Sequence, residues 1–364
     1  MKRIGKLAVA TLLVINLVFM GLMLFSAYSP HFNPEDHPIR ACFGMVFPVF
    51  LFINFCFLIA WLVISYKLAI IPFIAFLLCI PQIGTSFPIN FKTKKKNIPP
   101  NHIKFLSYNV MGMATKKKVD GKNAILQYIK NSGADIVCMQ EYIHTNSKYV
   151  TQKDIDTELA MYPHKNIHQV GNKFSGNYIA CYSKYPILSA QRLNYESNHN
   201  GSVVYNIKIG NDTVTVINNH LESNKLTLED KKVYEGMLKS PEVDKVKSGA
   251  IHLVRKLGEA QALRAPQAKA VAQAVKNSGN KHIVVCGDFN DTPVSYTHRI
   301  ISNGLVDAFV ASGCGLGISY NQNKFYFRID NILTSKNMKT YNCTVDRSIK
   351  DSDHYPIWCY ISKK

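Results

Sequence analysis

Charge is almost missing from the first ninety residues of this 364-residue chain. Only Lys2, Arg3, Lys6, Glu35, Asp36, Arg40 and Lys67 carry it there, so this part does not read as an ordinary soluble domain. Zinc-type cysteine spacing such as C-x2-C is absent, although the chain has nine cysteines, and this argues against a zinc module. No internal repeat survives counting. Acids are scarce, with 24 Asp and Glu against 43 Lys and Arg, for a net charge of +19. The first hundred residues hold nine basic and two acidic residues, which leaves +12 for the remainder. Such a surface favours polyanions: nucleic acid, anionic lipid headgroups or phosphorylated small molecules. The charge does not choose among them.

The cysteines follow the apolar runs. Cys42, Cys56 and Cys79 fall in membrane-like segments, and Cys138, Cys181, Cys286 and Cys359 in strand-like ones, where buried free thiols are expected. Cys314 and Cys343 leave a disulfide open.

Three apolar runs fill residues 1–90. Lys2, Arg3 and Lys6 precede a run from about 7 to 28, long enough for a bilayer core. A cleaved signal peptide would have a shorter apolar core, of about 7–15 residues. A loop with Pro30, Pro34 and Pro38 leads to a second run, about 41–65, and after Lys67 a third spans about 68–87. Three transmembrane helices are therefore expected. A basic N-terminus stays cytoplasmic, and three crossings put everything after residue 90 outside the cytoplasm. The basic stretch 91–103, with Lys92, Lys94 to Lys96 and Pro99-Pro100, reads as a linker to a domain at 104–364.

From Lys104 onward strands and helices alternate. Strands are expected at Phe105–Val110, Asp135–Glu141, Tyr178–Ser183, Val203–Ile209, Thr213–Asn218, Ile283–Cys286, Asp330–Ser335 and Ile357–Ile361. Asn123–Asn131 reads as a helix stopped by Gly133, and 225–278 as two or more helices. Gly287 is expected to end the pairing of its strand. Asp288 and Asn290, two residues apart in extended chain, would then share a face.

Polar residues recur at the ends of these apolar strands: Asn109, Glu141, His220, Asp288, Asn290, Asp330, Asp353 and His354. Each alone has an ordinary reading, as a turn cap, a surface acid or a core histidine. A sheet whose strand ends gather acids, amides and imidazoles is building one site.

The stretches Ser107-Tyr-Asn-Val, Met139-Gln-Glu, Asn219-His-Leu, Gly287-Asp-Phe-Asn, Arg328-Ile-Asp and Ser352-Asp-His, in this order, resemble the endonuclease/exonuclease/phosphatase superfamily. The resemblance spans nearly all of the second part and none of the first. It implies an α/β fold, a four-layer α/β/β/α sandwich of two mostly antiparallel sheets, and a Mg²⁺-dependent phosphoesterase, with Mn²⁺ as a substitute. It implies Glu141 as a direct metal ligand, with Asp353 and Asn109 completing or supporting the site. Asp330 would orient His354, Asp288 and Asn290 would position water and a phosphate oxygen, and His220 would face the phosphate. Asp288 and His354 both stay open as the base.

There are departures from the family pattern. Abasic-site endonucleases carry Tyr-x-Pro-Asn where this chain has Asn219-His-Leu, which moves the match toward deoxyribonucleases and neutral sphingomyelinases. Where deoxyribonucleases pair the His220 equivalent with a glutamate, only Asn177 is on offer here, as a candidate substrate-binding residue. The segment 221–264 carries Lys225, Lys231, Lys232, Lys245, Lys247, Arg255, Lys256 and Arg264, and reads as a lid or a solvated helical face. Arg264, next to Pro266, is a candidate for a phosphate. The expected protein is a membrane-anchored phosphodiesterase acting on nucleic acid or a phospholipid headgroup. A phosphomonoesterase, or a membrane-tethered binding protein on an inactive enzyme fold, is the alternative.

Overall fold

The computed structural model describes residues 2–143, 149–239, 243–322 and 325–364. The side chains of Lys2, Arg3, Lys231 and Lys245 lie outside the described part.

Among the described residues, twelve strands of the second part build its two large sheets. They are β1 (Ile103–Asn109), β2 (Ile136–Tyr142), β3 (His164–Val170), β4 (Asn177–Ser183), β5 (Ile187–Arg192) and β6 (Gly201–Ile209). Then follow β7 (Asp212–His220), β8 (His282–Asp288), β9 (Leu305–Asp307), β10 (Asp330–Ser335), β11 (Met338–Val345) and β12 (Ile357–Lys363). They form two six-stranded sheets, ordered β11-β12-β1-β2-β4-β3 and β9-β10-β8-β7-β6-β5. In each sheet one central pair is parallel, β1 with β2 and β8 with β7, and the other pairs are antiparallel.

Alternation along the strands explains the layers. Phe105, Ile136, Cys138, Val284 and Cys286 meet between the sheets. Their neighbours Leu106, Val137 and Met139 point the other way, onto Ile125, Leu126 and Ile129 of a helix at Ala124–Asn131. Val285 and Leu333 likewise pack on Ala268 and Val271 of the long helix Val243–Asn277. Strands covered on both faces are largely apolar, which is why they read as near-continuous runs. Asn123 caps the first of these helices by accepting from Ile125 and Leu126 N–H. Pro266 lies inside the long helix rather than beginning it. All nine cysteines are free thiols.

Gly287 does not end its strand. It pairs with Asn219 and Asn331 inside β8, at φ +117°. A Cβ there would sit 2.0 Å from the Asn219 carbonyl oxygen, so glycine serves close approach, and pairing continues to Asp288.

The apolar part begins with α1 (Lys2–Tyr28), α2 (Phe47–Ile64), α3 (Ile70–Leu78) and α4 (Ile80–Ser86). Two stretches, Gly5–His31 and Pro38–Ile64, are long and apolar enough to cross a membrane. The third run is broken at Cys79, where its halves meet at 68°. α1 and α2 are joined by buried polar groups: Trp61 Nε1 donates to Asn16 Oδ1 at 2.9 Å, and Asn16 Nδ2 to Asn54 Oδ1 at 3.3 Å. This part packs on helices and loops of the second part. Arg299 Nε donates to Pro30 O at 2.8 Å, Arg328 Nη2 to Thr85 O at 2.6 Å, and Lys269 pairs with Glu35. The basic stretch after it is strapped down too, by Asn90 Nδ2 on Val310 O and by Thr93 on Asn342.

Candidate active site

Three adjacent strand ends set the first row of the site. In register, His220 of β7 stands beside Asp288 of β8, and Asp288 beside Asp330 of β10. His220 is thus the last residue of its strand rather than a residue beyond it. The other sheet brings Asn109 and Glu141 from the neighbouring ends of β1 and β2. Asn109 Nδ2 joins the two sheets, lying 3.1 Å from Glu141 Oε1 and 3.2 Å from Asp288 Oδ2.

Glu141 reaches the cavity by a backbone irregularity. The β2–β4 register shifts between Met139 and Tyr142, and Glu141 adopts φ +51°, unusual for a non-glycine residue. A bulge of this kind re-aims one side chain out of the strand's alternation.

Asp288 and Asn290 converge through a turn, not an extended face. Asn290 has φ +52°, and its N–H donates to Asp288 Oδ1 at 2.8 Å. Its Nδ2 donates to Leu221 O at 2.9 Å and lies 3.3 Å from Asp288 Oδ2. Ser352 Oγ fixes the last loop by donating to Asn109 O at 2.7 Å and accepting from the His354 N–H. His354 Nδ1 then meets Asp330 Oδ2 at 2.7 Å, and its Nε2 lies 3.6 Å from Asp288 Oδ2. His220 Nε2 lies 3.5 Å from Glu141 Oε1 and 3.8 Å from Asp288 Oδ2. Its Nδ1 has no hydrogen-bond partner among the described residues.

Burial and charge compete here. Burial lifts the Asp288 carboxyl to about 6, against the pull of His354 and His220. Burial works against a charged His354, yet the Asp330 and Asp288 carboxylates outweigh it and raise the imidazole well above the ordinary histidine range. Burial also raises Asp353, and the nearby Glu141 charge adds to the rise, against His354.

A cavity of about 230 Å³ is lined by Glu141, His220, Asp288, Asn290, Asp353 and His354, among others. Two sequence candidates are placed elsewhere. Asn177 donates to His199 O at 3.0 Å and is not among the residues that line the cavity. Arg264 is fully buried behind the wall, where its Nη1 donates to Glu222 O and Asn224 Oδ1, both at 2.9 Å. It ties Glu222 and Asn224 together and is not among the residues that line the cavity. The segment 221–264 does cover the site: Lys225, Leu226 and Leu257 line it, and Tyr234 stacks on Phe325 at 4.4 Å.

Sequence reasoning passed over Gln140 and Asn218. Gln140 Nε2 donates to Asn218 Oδ1 at 2.6 Å and Asn218 Nδ2 to Met139 O at 3.2 Å, tying the sheets together beneath the cluster. Two buried amides inside otherwise apolar strands were the available signal.

Asp288, Asp330 and His354 offer ligand atoms within 4.8 Å of one another, a group able to hold a metal ion. Its nitrogen Nδ1 is engaged by Asp330, however, and Asp288 already accepts from Asn290 and Asn109. Glu141 and Asp353 offer oxygens at the cavity wall, and among the described residues no lysine or arginine pairs with either. Crowded carboxylates that no lysine or arginine neutralises fit a hard, oxygen-loving cation.

A sandwich of two sheets whose facing strand ends collect acids, amides and two imidazoles is the frame of a phosphoesterase-type hydrolase. The chain belongs to the endonuclease/exonuclease/phosphatase family, whose model matches residues 106–354. Residues 9–86 match a second model, described as a domain of unknown function. Among solved structures, an endonuclease/exonuclease/phosphatase from Beutenbergia cavernae is 14% identical at a TM-score of 0.50, over 72% of each chain. A family protein from Leptotrichia buccalis is 16% identical at 0.49, over 71% of this chain and 99% of the other. Humanized D. rerio TDP2 is 14% identical at 0.49, over 72% of this chain and all of the other. The comparison with curated proteins finds no match.

Proposed function

We propose that this chain is a membrane-anchored, Mg²⁺-dependent phosphodiesterase that hydrolyses a phosphodiester, in nucleic acid or a phospholipid, by attack of water. The observation that carries this reading is the convergence of Glu141, His220, Asp288, Asn290, Asp353 and the His354–Asp330 pair on one cavity. Glu141 and Asp353, supported by Asn109, would hold the metal. Mg²⁺, or Mn²⁺ in its place, supplies charge neutralisation at the phosphoryl oxygens when bound.

The chain's own groups divide the remaining work. Asp288, whose Oδ2 faces both imidazole Nε2 atoms, is the acceptor for the water's proton. The Asn290 amide and backbone hold Asp288 in place. Asp330 fixes the His354 ring so that Nε2 points into the cavity and donates to the phosphate. His220 donates to the phosphate or the leaving oxygen from the other side.

The reading also sets the catalytic domain on the far side of the membrane from the N-terminus. The loop after α1 touches the domain at Arg299, and the end of α4 touches it at Arg328. Tyr28 Oη, at the end of α1, donates to Leu78 O at the end of α3, so both helices finish on the same side. This supports an odd number of crossings, with the bent third run returning to the domain.

The test is hydrolysis of bis(4-nitrophenyl) phosphate by the full chain in detergent, with Mg²⁺, Mn²⁺ or EDTA, alongside DNA, RNA and phospholipid. Metal-dependent release from a diester is expected. A folded protein inert on every phosphodiester with either metal would overturn the reading.

A further inference from the structure

The catalytic cavity has two unlike kinds of lining. Besides the acids and imidazoles, Met45, Leu226, Leu257, Phe325, Phe327 and Ile329 line it. A bare phosphate ester has no use for such a wall, whereas pockets commonly match an apolar part of the ligand with apolar lining. Met45 comes from the membrane part, in the 3-10 turn Cys42–Val46 directly before α2. Its place is fixed by close backbone contact, since a Cβ on Gly44 would lie 1.9 Å from Val294 O.

A second cavity, of about 160 Å³, adjoins the first and shares Met45 and Phe327 with it. Its other walls are Pro48 and Val49 at the head of α2, and Val294, Leu316 and Ile318 of the catalytic domain. At its rim Val49 and Tyr326 are each 55% exposed and Leu316 45%. Apolar surface left open beside a helix fit to cross a bilayer is surface that lipid can cover.

We propose that the substrate is a membrane lipid phosphodiester, whose alkyl chain lies in this second cavity while its phosphate sits among Glu141, Asp288 and His354. This rests on the phosphodiesterase reading and narrows its substrate class. The cleft begins at the head of α2 and reaches the catalytic cavity through the shared Met45 and Phe327, so an alkyl chain entering beside α2 meets apolar side chains on its way to the site. A nucleic acid strand would instead need free cations along its path. The Lys and Arg side chains that line the two cavities, among the described residues, are Lys225 and Arg328. Lys225 is paired with Glu222, and Arg328 is held by Thr85 O and Asp307. In the reaction the water oxygen bonds phosphorus, the bond from phosphorus to the leaving oxygen breaks, and the water's proton passes to Asp288 and from there to the leaving oxygen or to solvent.

The test compares two diesters with one leaving group, methyl 4-nitrophenyl phosphate and hexadecyl 4-nitrophenyl phosphate, using the full chain in nanodiscs. Val49→Trp and Ile318→Trp fill the second cavity, one from the membrane part and one from the catalytic domain. The expected result is a fall of roughly tenfold or more in the ratio of kcat/KM for the hexadecyl over the methyl ester in both variants, because only uniform binding of the tail is lost. An unmoved ratio in folded variants overturns the proposal. So does a wild-type enzyme that cleaves the methyl ester and a DNA oligonucleotide but not the hexadecyl ester. If neither ester nor DNA is cleaved, the phosphodiesterase reading fails instead. Should both variants fail to fold, an alkyl phosphate with a chain-end diazirine decides on the wild-type protein. Labelling within residues 44–49 or 316–328 supports the proposal, and labelling confined to the lipid-facing part of α1 overturns it.

Discussion

His354 Nδ1 lies 2.7 Å from Asp330 Oδ2, and both side chains are buried. The contact joins a loop after β11 to the start of β10, and it leaves Nε2 as the ring atom that faces Asp288. An imidazole held this way acts with its carboxylate as one unit. His354→Ala should lower kcat by about 10²–10⁴-fold, and Asp330→Asn by less. The double variant should be little worse than His354→Ala alone. Losses that multiply in full, measured on folded protein, would separate the two residues.

Glu141 bears on the metal. Its aim into the cavity depends on the bulge and on φ +51°, and Gln keeps both. Glu141→Gln should reduce turnover by more than about 100-fold at ordinary Mg²⁺, with partial recovery at high Mg²⁺. Calorimetry of Mg²⁺ binding should show the same weakening without substrate. Unaltered metal affinity in the variant would remove Glu141 from the ligand set.

The site's residues were readable because both sheets put them at the ends of doubly buried strands, and such strands announce themselves as apolar runs, as at Ile136–Met139 and Ile283–Cys286. What stayed hidden depends on pairing partners. The bulge at Glu141 has no glycine to mark it, because it arises from the register with β4. β3 and β5 are edge strands with largely half-exposed residues, so little apolar alternation betrays them. The burial of Arg264 stayed hidden because composition shows charge but not that a guanidinium lies fully inside the fold. Met45 could not be foreseen at the site, since only the packing of the membrane part on the domain brings it there.

Gly287 tests the close approach of β8 and β7. Its substituent would meet backbone rather than a movable side chain, at a positive φ. Gly287→Ala should cost roughly 3 kcal/mol or more and displace Asp288 from the row with His220. Thermal unfolding and activity should fall together. A variant with wild-type stability would show that the strands separate easily.

Asp307 supplies a pH dependence away from the cluster. Burial would raise its carboxyl, but the Arg328 charge and the His298 hydrogen bond win and hold it at about 2. A carboxylate depressed in the fold adds stability above its unfolded value, near 4, and loses it as pH falls toward 2. The window is worth about 2 kcal/mol. The unfolding temperature of the wild type should therefore drop between pH 4 and pH 2. Asp307→Asn should be less stable at neutral pH, because it leaves Arg328 buried without its partner, and should drop less on acidification. An equal drop in both proteins would assign the acid sensitivity to other carboxylates.

The last prediction follows from the contacts at both ends of the apolar helices. Pro30 and Thr85 accept hydrogen bonds from Arg299 and Arg328, so the end of α1 and the end of α4 both stand at the catalytic domain. Lys2, Arg3 and Lys6 begin the opposite end of α1, and a basic end stays cytoplasmic. If α1 crosses the bilayer, the catalytic domain must stand outside, however the bend at Cys79 is arranged within the third run. A reporter active only after export, fused behind Lys364, should give signal, and one that fluoresces only in the cytoplasm should stay dark. A third fusion after Ser65, between α2 and the third run, should show the reverse. Cytoplasmic signal from the Lys364 fusion would mean that α1 lies along the membrane instead of crossing it.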